Sequence, residues 1–171
     1  MSGEPAGERL LVIGVGHPDR ADDAVGPWVA NRVRAEEGAA GARVITRSGD
    51  MLALIDDWTS SDAAVLIDAA APSSRPGQIH RVDVTCKAMP QDLRLSSGAM
   101  STHAFGVVEA IELSRTLRKL PARLIVYAIE GACFEAGGAL TPAVAAAAEI
   151  VTQRVLAELR DLRRVGDRLH A

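Results

Sequence analysis

Aromatic residues are scarce: two Trp, two Phe and one Tyr among 171 residues. A core short of large rings must be filled by small and branched side chains. Alanine and valine are plentiful here, which suits helices packed closely on a buried sheet. Cysteine is almost as rare. Cys86 and Cys133 stand far apart and form no CxxC pair, which argues against a disulfide framework or a sulfur-ligated metal site and fits free thiols in a reducing cytoplasm. Positive charge is not in surplus: 19 Lys and Arg face 22 Asp and Glu, a formal net charge of −3. That balance argues against a broad nucleic-acid footprint. No apolar run is long enough to cross a bilayer. Residues 1–8 are polar, lack the apolar core of a signal peptide, and read as a flexible tail. The expectation is a cytoplasmic protein, one domain over 9–171, with neither nucleic acid nor membrane as partner.

Apolar runs mark the strands. Leu10 to Val15 (LLVIGV), Ala63 to Ile67 (AAVLI) and Leu124 to Ile129 (LIVYAI) are apolar on both faces, as in strands covered on both sides. Arg43 to Thr46 reads as a short strand, and Gln78 to Thr85, broken by charges, as an edge strand or hairpin arm. Helices are expected over Ala24 to Glu36, with Val25, Val29 and Val33 at helical spacing, and over Met51 to Trp58, with Leu52 and Ile55 inward. A third carries Ala104, Val107, Val108 and Ile111 on one face. The last starts with Thr141 as N-cap and Pro142 as first residue; Val144, Ala148, Val151, Val155 and Leu159 form its inner stripe. Arg160, Arg163, Arg164 and Arg168 read as its solvated end, with a basic docking patch as the sharper alternative. Strands alternating with helices imply βαβ units, a mostly parallel sheet and helices on both faces.

Three candidate ligands fall at corresponding places. Asp23 closes the loop after the first strand, Asp68 ends a central strand, and His103 opens a helix. Ligands of open parallel sheets bind outside the carboxyl ends of the strands, where these loops would meet. Two carboxylates and an imidazole suit a first-row divalent metal, and three protein ligands leave positions open for water or substrate. Taken singly, each has a plainer reading: Asp22 or Asp23 as a helix N-cap, Asp68 as a loop cap, His103 as a solvated first-turn residue. The Gly14-Val15-Gly16-His17-Pro18-Asp19 stretch lacks the third glycine of a dinucleotide fingerprint, and its acidic continuation would repel a pyrophosphate. No P-loop, GxSxG elbow or HExxH helix occurs.

Leu11 to Pro27 (LVIGVGHPDRADDAVGP) resembles the N-terminal signature of hydrogenase maturation endopeptidases. Ala64 to Ala69 (AVLIDA), Ser101 to Gly106 (STHAFG), Tyr127 to Gly131 (YAIEG) and Leu140 to Val144 (LTPAV) resemble the family's later motifs, in the same order. The resemblance implies a three-layer sandwich around a twisted, mostly parallel five-stranded sheet. It implies removal of a C-terminal extension from a nickel-loaded hydrogenase large-subunit precursor. It also implies that Asp23, Asp68 and His103 bind the metal and carry the reaction, nickel being brought by the precursor, with other divalent metals able to substitute. A monomer is expected. His17 stands where the family usually has Asn, Ala24 where it has Gly, Ala104 where Gly or Gln is common, and Asp50 where Thr is frequent. None removes a ligand; together they suggest a divergent branch. His17 is a loop hydrogen-bonder or an additional ligand. Asp22→Asn is expected to be milder than loss of a ligand. The rival readings are a nickel-binding accessory protein or chaperone without peptidase activity, and a nucleotide-dependent enzyme.

Overall fold

The computed structural model describes residues 9–72, 74–96 and 105–169. The expected tail at 1–8 lies outside them. Five strands, β1 (Leu10–Val15), β2 (Arg43–Arg47), β3 (Ala63–Ala70), β4 (Ile79–Asp83) and β5 (Arg123–Glu130), form one sheet in the order β2-β1-β3-β5-β4. All neighbours are parallel except β4, which pairs antiparallel with β5 at the edge. The central strands β1 and β3 are buried along their whole length, which is why they read as unbroken apolar runs.

Among the described residues, two α-helices cover each face. On one lie α1 (Val25–Ala35) and α4 (Pro142–Leu169). Val25, Val29 and Val33 of α1 and the expected stripe of α4 are wholly buried there, against Val12, Val65, Ile67 and Tyr127. On the other lie α2 (Ala53–Thr59) and α3 (Val107–Thr116), which bury Leu54, Trp58, Val107 and Ile111 against Leu11, Ile13, Leu66 and Val126. The Trp58 indole is buried with its polar atom satisfied, because Nε1 donates to Ser114 Oγ at 3.0 Å. Among the described residues, no helix is long and apolar enough to cross a membrane.

Four expectations need correction. Leu52 is not inward; it is 51% exposed, while Met51, Leu54, Ile55 and Trp58 are buried. The segment enters α2 through three-residue turns (Leu54 N–H to Met51 O, Ile55 N–H to Leu52 O), which shift the phase of the inward face. The third helix begins at Val107, after an extended Gly106 whose N–H donates to Glu109 Oε2 at 3.0 Å, so its first turn starts four residues beyond His103. Asp68 does not end its strand: β3 continues through Ala69 and Ala70, paired with β5. Arg163, in the basic cluster, is not simply solvated. It donates to the carbonyls of Gly38 (2.9 Å) and Ala40 (2.6 Å) and holds the turn after α1.

Candidate metal-reading site at the carboxyl edge of the sheet

From β1 the chain runs to one side of the sheet, into β2; β3 starts the other side. The crevice where such a sheet reverses its winding lies between β1 and β3 at their carboxyl ends, and it is the expected place for a ligand. Pairing of β1 with β3 stops at Gly14–Ile67, while β3 runs on beside β5 to Ala70–Glu130. Asp68 therefore lies one residue past the last β1–β3 pair, where the crevice opens.

That loop carries Asp22 and Asp23 in a 3-10 turn, Ala21–Ala24, ahead of α1. Neither caps the helix. The N-cap position of α1 is Ala24, which makes no side-chain capping bond. The two neighbouring acids instead face different partners. Asp23 Oδ2 accepts the His17 N–H at 2.9 Å, and Oδ1 accepts the Ser96 hydroxyl at 2.6 Å. The same hydroxyl lies 3.0 Å from Asp68 Oδ1. Asp68 is wholly buried and Ser96 3% exposed. Asp23 and Asp68, 45 positions apart in the chain, are thus brought within one shared hydrogen-bond donor of each other.

Ser96 is the residue that sequence reasoning missed. A lone serine in a small polar stretch carries no periodicity, and its two partners lie 73 and 28 positions away. Its backbone is held from β3: Ala70 forms an antiparallel bridge with Leu95, and the Ala71 N–H donates to Arg94 O at 2.6 Å.

Asp22 does different work. It is wholly buried. Its Oδ2 accepts the N–H groups of Ala132 (2.8 Å) and Cys133 (3.0 Å), and its Oδ1 accepts the Thr141 N–H at 2.7 Å; the Thr141 hydroxyl lies within reach of both oxygens. Thr141 does precede α4, and its carbonyl accepts the Ala145 N–H. Its hydroxyl donates to Asp22. Arg20 adds a further tie, from its guanidinium to Phe134 O at 3.3 Å. The acidic loop is thereby sewn to the 131–141 loop, and Asp23 is carried on a fixed support.

His17 is exposed, and its Nδ1 accepts a long, 3.4 Å contact from the Asp19 N–H. His103 lies outside the described residues. Among the described residues, no three His, Cys, Asp or Glu side chains gather closely enough to hold a metal ion. The donor chemistry of the Asp23–Asp68 pair nonetheless fits a cation. Ser96 offers one hydroxyl proton to two carboxylates, and hard oxygen donors beside a crevice suit a divalent metal.

An α/β protein with paired carboxylates at its winding reversal is the class that fold and site define. The family model for hydrogenase maturation protease, HycI, matches residues 43–158, more than half of the chain. The chain belongs to the hydrogenase maturation protease family, endopeptidases that process the hydrogenase large-subunit precursor. None of the curated proteins matches the sequence significantly. Solved structures share the fold. The maturating endopeptidase HybD from E. coli is 22% identical, with 90% of this chain and 93% of that one covered and a TM-score of 0.68. An Escherichia coli endopeptidase solved in solution gives the same identity and coverage with a TM-score of 0.73. The [NiFe] hydrogenase maturation protease HycI from Thermococcus kodakarensis is 18% identical, over 91% of this chain and 95% of that one, with a TM-score of 0.66.

Proposed function

We propose that this protease removes the C-terminal extension of a large-subunit precursor that already carries nickel, and that Asp23, Asp68 and His103 read that metal. The observation that carries the reading is the meeting of Asp23 and Asp68 at Ser96, in the crevice between β1 and β3. Two carboxylates and an imidazole match the preferences of a first-row divalent ion. On this reading nickel arrives with the substrate. Docking the loaded centre against the three side chains sets the scissile peptide bond in one orientation, and that positioning is the main source of rate. Asp23 or Asp68 then assists the attacking water as general base. A reducing cytoplasm is the proposed setting, and the free thiols of Cys86 and Cys133 are in keeping with it.

The test mixes the protein with nickel-loaded and nickel-free precursor and weighs the products by mass spectrometry. Loss of a C-terminal peptide from the loaded form alone is expected. Equal cleavage of both forms would remove the metal-reading role, and nickel binding without any cleavage would point to an accessory protein.

A further inference from the structure

The Ser96 hydroxyl lies between the two carboxylates of the proposed metal reader. It is buried, its backbone is pinned by the Ala70–Leu95 bridge, and its oxygen lies 2.6 Å from Asp23 Oδ1 and 3.0 Å from Asp68 Oδ1. One proton serves two acceptors, so the hydroxyl donates fully to one carboxylate at a time. Asp68 is wholly buried and Asp23 half-buried, so the shared hydroxyl sits between an interior carboxylate and one at the mouth of the crevice. The two oxygens are held no further apart than the two hydrogen-bond lengths allow.

We infer that Ser96 is a positioning residue that stands in for the cation: it holds Asp23 and Asp68 together in the free protein and gives up its hydrogen bonds when the substrate's metal enters. The inference rests on the metal-reading role of the acidic pair. Its consequence is a handicap on metal binding. A cation must displace a donor already satisfying the pair, so a bare ion binds weakly. A metal delivered inside a docked precursor gains the rest of its affinity from the protein interface. Ser96 thereby favours loaded precursor over free ion. No bond is made or broken; the hydroxyl keeps its proton and turns to another acceptor.

Ser96→Ala deletes only one oxygen and needs no extra room. Binding of Ni²⁺ alone, followed by titration calorimetry on the full chain, should tighten by roughly tenfold or more, the scale of a lost hydrogen bond to a charged group. Processing of loaded precursor should fall in kcat, because the carboxylates are no longer held in place. Ser96→Thr, which keeps the hydroxyl, should return both values toward those of the unaltered protein. A purely structural serine would lower stability and activity without tightening nickel binding. Equal or weaker nickel binding by Ser96→Ala, including no binding by either protein, overturns the inference. Failure of the underlying reading would look different: Asp23→Asn and Asp68→Asn would then process loaded precursor normally.

Discussion

Asp22 and Thr141 are joined twice across 119 residues of chain, once through the Thr141 N–H at 2.7 Å and again through its hydroxyl. With the N–H groups of Ala132 and Cys133, the carboxylate takes donors from three residues of the far loop. Amide replacement would turn one acceptor into a donor that faces other donors. Asp22→Asn should therefore cost about 3 kcal/mol, since a buried charged acceptor is lost and its partners are left unpaired. For a chain of this length the melting temperature should fall by roughly 6–12 °C. Processing at low temperature should survive better than after loss of Asp23. A melting point unchanged by Asp22→Asn would mean that this clasp contributes little.

Gly14 and Gly26 let α1 lie directly on the sheet beside the site. A Cβ on Gly26 would come 2.1 Å from Val15 O and 2.6 Å from Ile67 O, and one on Gly14 would come 2.2 Å from Gly26 O. These are backbone atoms, which cannot swing aside. Gly26→Ala should push α1 off β1 and β3 and destabilise by about 2–3 kcal/mol, as overpacking does. Asp23, three residues before Gly26, should move with the helix. A displacement near 1 Å is enough to cost on the order of a hundredfold in rate. Thermal melting and kcat measured together check this, and a variant matching the unaltered protein in both would show that the contact is tolerated.

Much of the fold was legible because the strands carry their own signal. β1 and β3 lie under helices on both faces and so hold apolar side chains at every position but Asp68 and the small Gly14. The valines of α1 and the inner stripe of α4 kept their spacing because both helices pack along the sheet. The inward face of α2 was misread because its entry is tighter than an α-helix, and a short helix has too few turns to average that out. Asp23 was readable as an acid in the loop after the first strand, and Asp68 as an acid after an apolar run, though the strand carries on past it. Their connection through a third residue was not readable. It runs through Ser96, whose role depends on a bridge between Ala70 and Leu95 that no local pattern announces. The division of labour between Asp22 and Asp23 was equally hidden, since adjacent acids in a tight turn point to different neighbours only once the 131–141 loop is in place.

Tyr127 links β5 to α4 and gives the fold an alkaline limit. Its hydroxyl donates to Glu158 Oε1 at 3.0 Å, and the Arg81 guanidinium reaches the same oxygen at 2.5 Å. Burial, then the charge of Glu158 and the bond to it, push the phenol up to about 12 from its ordinary 10. A raised folded-state value means that the stabilisation is complete below pH 10 and is lost as pH rises through about 12. It amounts to at most about 3 kcal/mol. Tyr127→Phe should unfold with a flatter pH dependence between 10 and 12 than the unaltered protein. Parallel denaturation curves at pH 9, 10, 11 and 12 decide the matter; identical slopes would remove the phenol from the account.

The acidic pair should behave as one unit. Asp23→Asn and Asp68→Asn each keep an oxygen for the Ser96 hydroxyl, so the fold should survive, as circular dichroism would show. Each lacks a charge that the metal-reading role requires, and processing of loaded precursor should fall by at least about a hundredfold, the upper end of what altering the surroundings of a metal ligand costs. His103→Ala should do the same. If the two carboxylates act together on one ion, the first replacement already forfeits the joint contact. The double variant should then be little worse than either single one, as for other groups that work as a unit. Losses that multiply would instead assign the two acids separate tasks, one on the metal and one on the water. Full activity in folded Asp23→Asn, with Asp22→Asn inactive at a temperature where it is folded, would shift the reading of the metal to the neighbouring acid.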